Sequence, residues 1–488
     1  MPLDPRTPVI VGVAQHNEHE QRAEPIDMMA RCAEAAIDDA GAALRPTIDA
    51  VRVVWGVWPY RDPGRLVAER IGAPQARTTL TTVGGNQVYE LMIDTAARIA
   101  GGELDVAVVC AAETMRTRRR DHREGRSTAY LTEGEAATPD ERFGSEQPMS
   151  TATETSMLLN VPVHFYAMAE TAIRHRRRES VEAHRARIAS MWCAASEIAA
   201  ANPDAWIRTA RRPDEIATES PTNRPVSSPY PKLMTANLDV DQGGAVIVCS
   251  VAAAEAAGIP RERWVFPWAG ASAADHWYVT NRWAFDESPA MRLAGTRALE
   301  LAGVGLDDCA LIDLYSCFPA AVQVAQRELA IDPSRPFTIT GGLTFAAGPL
   351  NCYCILPLVR ATRLLRDEPG ERALLTGNGG YFTKHSMLVL SGEPPADGFR
   401  STSPQAEVAA PPSRPTPSAP ATQATLETYT VAHDRDGSPE RAIVAALDAS
   451  GARHFAHSTD ADTLKALLAD DCCAAPVTLD PATNAFEL

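Results

Sequence analysis

The sequence predicts an α/β protein built from two similar halves, on three observations. Short runs of small and β-branched apolar residues alternate with helix-length amphipathic segments from residue 9 to 112, and again from about 264 to 391. Between them, a charged, proline-containing stretch from about 115 to 230 breaks the rhythm. After Gly392 the composition turns abruptly to Pro, Ala, Ser and Thr, and a further short alternation follows.

Taken in order, Val9-Ile10-Val11-Gly12-Val13 reads as a strand, 26–41 as a helix, 51–57 as a strand, 87–100 as a helix and 105–112 as a strand. Single strands alternating with single helices favour a parallel or mixed sheet with helices on its faces. Residues 115–230 carry two long helical patterns and read as an inserted loop domain. The first half resumes with the strand-like Gly243–Cys249 and the helix-like Ala252–Ala257. The organisation is therefore 1–114 with 231–258 as the first half, 115–230 as the insertion and 259–393 as the second half.

Residues 394–424, including Ala409-Ala410-Pro411-Pro412-Ser413-Arg414-Pro415-Thr416-Pro417, read as an extended linker, because proline removes ladder donors and the stretch has little to bury. Residues 425–488 read as a small, β-rich α+β domain. Its strands are Leu426–Val431 and Ala442–Leu447, with a turn at Asp434–Gly437, a segment Arg453–Ala456 and a helix at Ala461–Leu468. About 64 residues make a marginal domain alone.

Composition narrows the function. A net charge of -16 leaves no basic excess for a nucleic-acid surface. No apolar run approaches the ~20 residues of a membrane helix, and the polar Met1–Arg6 leads straight into a strand, so the cytoplasm is the expected location. Cys32, Cys110, Cys193, Cys249 and Cys309 stand singly in apolar segments and read as core. Cys352-Tyr353-Cys354 and Cys472-Cys473 lack the repeats and histidine partners of a zinc site, so no metal is expected.

Three glycine-rich loops carry the functional signal. They are Thr81-Thr82-Val83-Gly84-Gly85-Asn86, the stretch from Thr340-Gly341-Gly342 to Ala347-Gly348-Pro349, and Thr376-Gly377-Asn378-Gly379-Gly380-Tyr381 running into Lys384-His385. With Asp313-Leu314-Tyr315-Ser316-Cys317-Phe318-Pro319, their order and spacing resemble the thiolase superfamily over roughly residues 5 to 395. The resemblance implies the five-layer αβαβα fold of two similar halves, and the tail resembles the small domain appended to some thiolase-like proteins. Thiolases commonly pair through their core sheets, which leaves homodimer, monomer or association with a small partner protein open.

Position by position, the resemblance implies a site without its reactive groups. The family's nucleophilic cysteine falls in the turn of Gly84, Gly85 and Asn86. Its Asn-Glu-Ala-His-type tetrad falls on Tyr315-Ser316-Cys317-Phe318, its catalytic histidine falls on Gly348, and its second cysteine falls on Gly377. Claisen chemistry needs a covalent acyl carrier, a base and oxyanion donors, and glycine offers only backbone groups. The resemblance thus implies an acyl-CoA-binding protein of lipid metabolism without ordinary thiolase activity. Two alternatives stand beside it. One is an aldolase similar to the thiolase-fold enzymes that cleave steroid side-chain CoA thioesters, using Tyr315. The other is residual acyltransfer through Cys317 or Cys352.

Candidate chemical residues are Tyr315, Tyr381 and His385, each with a plain alternative as a satisfied core or loop residue. No cofactor is expected beyond CoA or an acyl-CoA as ligand. The arginine runs Arg116, Arg118, Arg119, Arg120 and Arg174, Arg176, Arg177, Arg178 are phosphate-contact candidates or solvated surface. Arg224 and Lys232 lie in elements that resemble the family's cleft, and Gly341, Gly342, Gly379 and Gly380 are candidate backbone contacts to the ligand.

Overall fold

The computed structural model describes residues 3–488. Its first sheet runs, edge to edge, Pro8–Asn17, Asp241–Ser250, Val106–Thr114, Ala50–Val53, Arg77–Thr81 and Glu141–Phe143. The second runs Phe266–Ala274, Lys384–Ser391, Arg372–Gly379 and Leu311–Asp313, with Arg400–Thr402 flanking Phe266–Ala274. The first four strands of each sheet repeat one pattern of antiparallel, antiparallel and parallel pairing. That repeat is the two similar halves the sequence predicts.

Helices Gln87–Ala100 and Ile355–Asp367 lie between the sheets and touch strands of both. Their burial follows from sequence. Val88, Leu91, Met92, Thr95, Ala96 and Ile99 are buried on one helix, and Leu356, Leu358, Val359, Ala361 and Leu365 on the other. Pro25–Ala40 packs on the outer face of the first sheet and Pro289–Ala302 on that of the second, completing αβαβα. Both outer helices have proline in the first turn and a side-chain N-cap, Glu24 and Ser288 respectively.

The insertion folds onto this body. Its long helices are Pro162–Arg177 and Val181–Ala201, and its short strand Glu141–Phe143 extends the first sheet beyond Arg77–Thr81 in parallel register.

The C-terminal strands Gln423–His433, Pro439–Leu447, Arg453–Ser458, Pro476–Asp480 and Ala485–Glu487 close into a barrel. The first strand pairs with both the second and the fourth, the third pairs parallel to the fifth, and helix Ala461–Ala469 joins the third to the fourth. This is the OB-fold arrangement. Its second and third strands are buried on both faces. Val444, Ala446 and Ala456 fill the barrel, while Ile443, Ala445 and Phe455 join the main core of the body. Gln423–His433 also bridges to the insertion through Ala432 and Ser227.

The segment expected to be an extended linker is instead laid against the body. Arg400–Thr402 pairs with Phe266–Ala274, and Gln405–Val408 is helical. The Gln405 side chain bonds the backbone of Ala274 through both amide ends, at 2.8 and 2.7 Å. Arg414 donates to the Trp283 carbonyl at 2.9 Å and stacks on its ring. Prolines keep the stretch out of ladders, but its few long polar side chains find backbone acceptors on the body.

Candidate active site

The first glycine loop joins strand Arg77–Thr81 to the buried helix Gln87–Ala100. A helix start presents unpaired N–H groups and a positive field. The loop is tied to the rest of the site at three points. Gly84 N–H donates to Asn351 Oδ1 at 3.1 Å, the Cys354 thiol to the Gly85 carbonyl at 3.0 Å, and the Ser386 hydroxyl to the Asn86 carbonyl at 2.8 Å.

Two glycines are required by close approach. A Cβ on Gly85 would lie 2.3 Å from Tyr315 Oη and 2.5 Å from the Asn378 carbonyl oxygen. On Gly377 it would lie 2.6 Å from Ser386 Oγ and 3.0 Å from Asn86 Cα. The first and third loops therefore touch directly, and the Tyr315 phenol stands over Gly85. Gly379 pairs with Lys384 in the ladder, and the Gly380 carbonyl accepts from the Tyr166 hydroxyl at 3.2 Å.

Asp313 organises the second loop. Its carboxylate accepts from Thr338 Oγ1 at 2.8 Å, Ile339 N–H at 3.0 Å and the Tyr353 hydroxyl at 3.2 Å, while burial pushes its pKa up to about 6. Thr338 Oγ1 accepts in turn from Gly341 and Gly342 N–H, both at 3.1 Å. Leu343 N–H donates to Ser316 Oγ at 3.3 Å, which joins this loop to the Tyr315 segment, and Gly348 N–H donates to the Asn237 carbonyl at 3.0 Å.

Tyr315 is half-buried, and its ring meets Tyr353 edge-on at 5.6 Å. Its hydroxyl has no protein hydrogen-bond partner among the described residues. Burial, reinforced by Cys317 and Cys354, holds its pKa well above 10, so it is a neutral donor. Around it, both ends of the Asn86 amide, the Tyr89 hydroxyl and Asn378 Oδ1 are buried without a partner among the described residues. Buried polar atoms are nearly always paired, and these four gather where the first and third loops meet.

The structure does not bring His385 or Tyr381 to this point. Lys384 and Ser386 face the first loop, whereas His385 turns the other way, with Nε2 3.0 Å from Ser288 Oγ and 3.1 Å from the Phe382 carbonyl. Burial lowers its pKa to about 3, so it is a neutral core imidazole. Tyr381 is buried, donates to the Asn160 carbonyl at 3.0 Å and packs on Phe165. The nearby thiols are equally quiet. Burial pushes Cys317 up to about 12 and raises Cys352 and Cys354 well above 9.

The candidate phosphate contacts divide. Arg116 donates to the His19 carbonyl and stacks on Trp206, and Arg224 donates to the Pro225 and Asp434 carbonyls under the barrel. Arg118 and Lys232 are exposed. Arg119 and Arg120 pair with Asp239 and Glu124. Arg174 is buried against Tyr429, while Arg176 and Arg177 pair with Asp286 and Glu179. Arg178 caps its helix in a left-handed conformation.

Sequence reasoning passed over Lys384 and Asn351. Lys384 is buried, donates to the Val83 carbonyl and has its pKa lowered by burial. That the chain has two other lysines besides this one was a signal available to it. Asn351 holds Gly84 from 267 residues away, which no local pattern announces.

Fold and site together define a thiolase-fold protein in which Gly85 of the first loop, Asn378 of the third and the Tyr315 phenol meet. The model of the thiolase-like protein type 1 additional C-terminal domain matches residues 404–481. A monomeric SCP2-thiolase like protein type 1 from Mycobacterium smegmatis is 30% identical with a TM-score of 0.85, covering 99% of each chain. The chain belongs to that thiolase-like protein type 1 family of the thiolase superfamily. The fold also matches the Ltp2-ChsH2(DUF35) aldolase, at 19% identity, TM-score 0.62, over 79% of this chain and 98% of that one. Human mitochondrial 3-ketoacyl-CoA thiolase matches at 15% identity, TM-score 0.59, over 79% and 99%. No curated protein sequence matches.

Proposed function

We propose that the protein binds a CoA thioester on the retained fold and does not perform thiolase chemistry. The packing at Gly85 carries this reading: the phenol of Tyr315 and the carbonyl of Asn378 fill the space a nucleophilic side chain would need. Loss of one oxyanion donor alone costs about 10²- to 10³-fold in rate, and here nucleophile and base are absent as well. The raised pKa values of Cys317, Cys352 and Cys354 leave no substitute thiolate. Support for binding comes from the neutral Tyr315 hydroxyl, the unpartnered Asn86 amide and the helix start beside them, which together suit a thioester carbonyl. The exposed Lys232, and Arg118 with a single 3.4 Å contact to the Val57 carbonyl, are the candidates for the phosphates. The chain acts as a monomer on this reading, because Glu141–Phe143 covers the sheet edge at Arg77–Thr81.

The test is a thermal-shift and calorimetric titration with CoA and acyl-CoAs of increasing length, alongside a thiolysis assay on a β-ketoacyl-CoA. Saturable stabilisation of about 2.7 kcal/mol at a hundredfold excess over Kd, without turnover, is expected. A flat titration or measurable thiolysis overturns the proposal.

One observation favours a second reading, retro-aldol cleavage of a β-hydroxyacyl-CoA. The Tyr315 hydroxyl is uncommitted and protonated, as a donor to an enolate oxygen should be. The likeness to an aldolase is one of fold. Cleavage lost in Tyr315→Phe selects this reading, and an inert wild type rejects it.

A further inference from the structure

The sequence argues against a metal because Cys472-Cys473 has no histidine partner near it in the chain. Folding supplies one. His175, in the last turn of the insertion helix Pro162–Arg177, meets the barrel segment that follows helix Ala461–Ala469. There His175, Asp471 and Cys473 each present a ligand atom, all within 4.8 Å of one another. Among the described residues this is the one group of three or more His, Cys, Asp or Glu side chains so placed. It shares no residue with the glycine-loop site.

Donor chemistry, spacing and charge agree on the ion. Sulfur and imidazole ligands suit Zn²⁺, whereas Mg²⁺ and Ca²⁺ take oxygen. Ligand atoms around a tetrahedral Zn²⁺ stand about 3.3–3.8 Å apart, so these three need shift by only about an ångström to close on one ion. The tightest contact, His175 Nδ1 to Asp471 Oδ2 at 2.7 Å, has to open, and side chains 45% and 33% exposed are free to do so. Cys473 is buried and forms the inner wall. Asp471 is held from behind, its Oδ1 accepting from Cys473 N–H at 3.2 Å with Arg174 Nη2 at 3.5 Å. That arginine also donates to the Tyr429 hydroxyl at 2.8 Å, and Asp470 stands beside Asp471 to offset its charge. Burial and Asp471 push the Cys473 thiol up, so a plain His175–Asp471 ion pair gains nothing from having it there. A cation gains a thiolate and a carboxylate, which together cancel its two charges.

We propose that His175, Asp471 and Cys473 bind one Zn²⁺ that clasps the insertion to the C-terminal barrel, with a fourth position left to water on the exposed side. As the zinc–sulfur bond forms, the Cys473 thiol releases its proton to solvent, and His175 coordinates as the neutral imidazole. His175 and Asp471 are 296 residues apart, so the ion ties together segments that no local interaction joins. The inference is independent of CoA binding and of any chemistry at Tyr315.

The test strips the untagged full chain with EDTA, dialyses it against ZnCl₂ and measures bound metal by mass spectrometry. One zinc per chain is expected, with a higher Tm than the stripped protein. Co²⁺ in its place should show a thiolate-to-cobalt charge-transfer band that Cys473→Ser removes and Cys472→Ala leaves intact. His175→Ala and Cys473→Ser should each raise the Kd for Zn²⁺ about tenfold or more. His175 is exposed, so its variant probes the site without disturbing the core. No bound zinc, zinc retained at full affinity in both variants, or a cobalt band that follows Cys472 overturns the proposal and leaves His175 and Asp471 as an ordinary ion pair. Zinc that binds without raising Tm overturns the clasp.

Discussion

The glycine-loop site and the seat of the C-terminal barrel are both buried and polar, yet they treat hydrogen bonding in opposite ways. At the barrel, the guanidinium of the fully buried Arg453 is spent completely. Its Nε and Nη2 grip Glu427 at 2.6 and 2.7 Å, while Nη1 reaches the Val279 and Arg282 carbonyls and the group lies 4.8 Å from the centre of Phe285. At the glycine loops, Asn86, Tyr89 and Asn378 are equally hidden and leave atoms unmatched. A satisfied buried network holds a fold together, whereas an unsatisfied one is tolerated only where something other than stability is selected.

Removing Arg453 should break the contrast most severely. Arg453→Met leaves Glu427 with only Arg414, 3.6 Å away, and takes a donor from the Val279 and Arg282 carbonyls, so a loss of about 3–5 kcal/mol is expected. Chemical denaturation measures it, and limited proteolysis should then cut between the barrel and the body. Stability within 1 kcal/mol of wild type would show that the apolar contacts of Ile443 and Phe455 hold the barrel unaided.

Overpacking the site comes next. Gly85→Ala drives a Cβ toward a backbone carbonyl and should cost about 1–3 kcal/mol, and adding Tyr315→Phe should recover little, because the Asn378 carbonyl stays in place. Full recovery in the double variant would place the whole clash on the phenol.

Acid–base behaviour sharpens the comparison further. Glu113 is buried, accepts from Val57 N–H at 2.6 Å, and has its pKa pushed up from 4.5 to about 8 by burial. The folded state therefore holds a proton that the unfolded state has released. Stability from this group is intact below about pH 4.5 and falls as pH rises toward 8. Glu113→Gln should flatten that slope and stabilise the protein at pH 8. An unchanged pH profile in the variant would assign the slope elsewhere.

The smallest effect is the most diagnostic. Asn86→Ala removes two unpartnered atoms, so stability should change by less than about 1 kcal/mol or rise, while affinity for an acyl-CoA falls. A large loss of stability would mean the amide is structural after all.

Much of this fold was legible because its signals are local. Val9–Val13 and Gly243–Cys249 are apolar runs of strand length, and helix Gln87–Ala100 falls where its periodicity puts it. The three glycine-rich loops were legible as a pattern; what packs against them was not. Tyr315 over Gly85 and Asn351 under Gly84 join positions more than 200 residues apart, and no periodicity records such contacts. His385 misled for a simpler reason: strand alternation sends Lys384 and Ser386 to one face and the imidazole to the other. The tail misled because composition shows that Pro-rich chain cannot build a sheet, but not that Gln405 and Arg414 can lean on one already built.

The three residues of Glu141–Phe143 have an effect out of proportion to their length. By lying along Arg77–Thr81 they consume hydrogen-bonding capacity that would otherwise be offered to another molecule, and they present in its place a short margin carrying Glu141 and Arg142. The polypeptide has in effect supplied itself with a splint there.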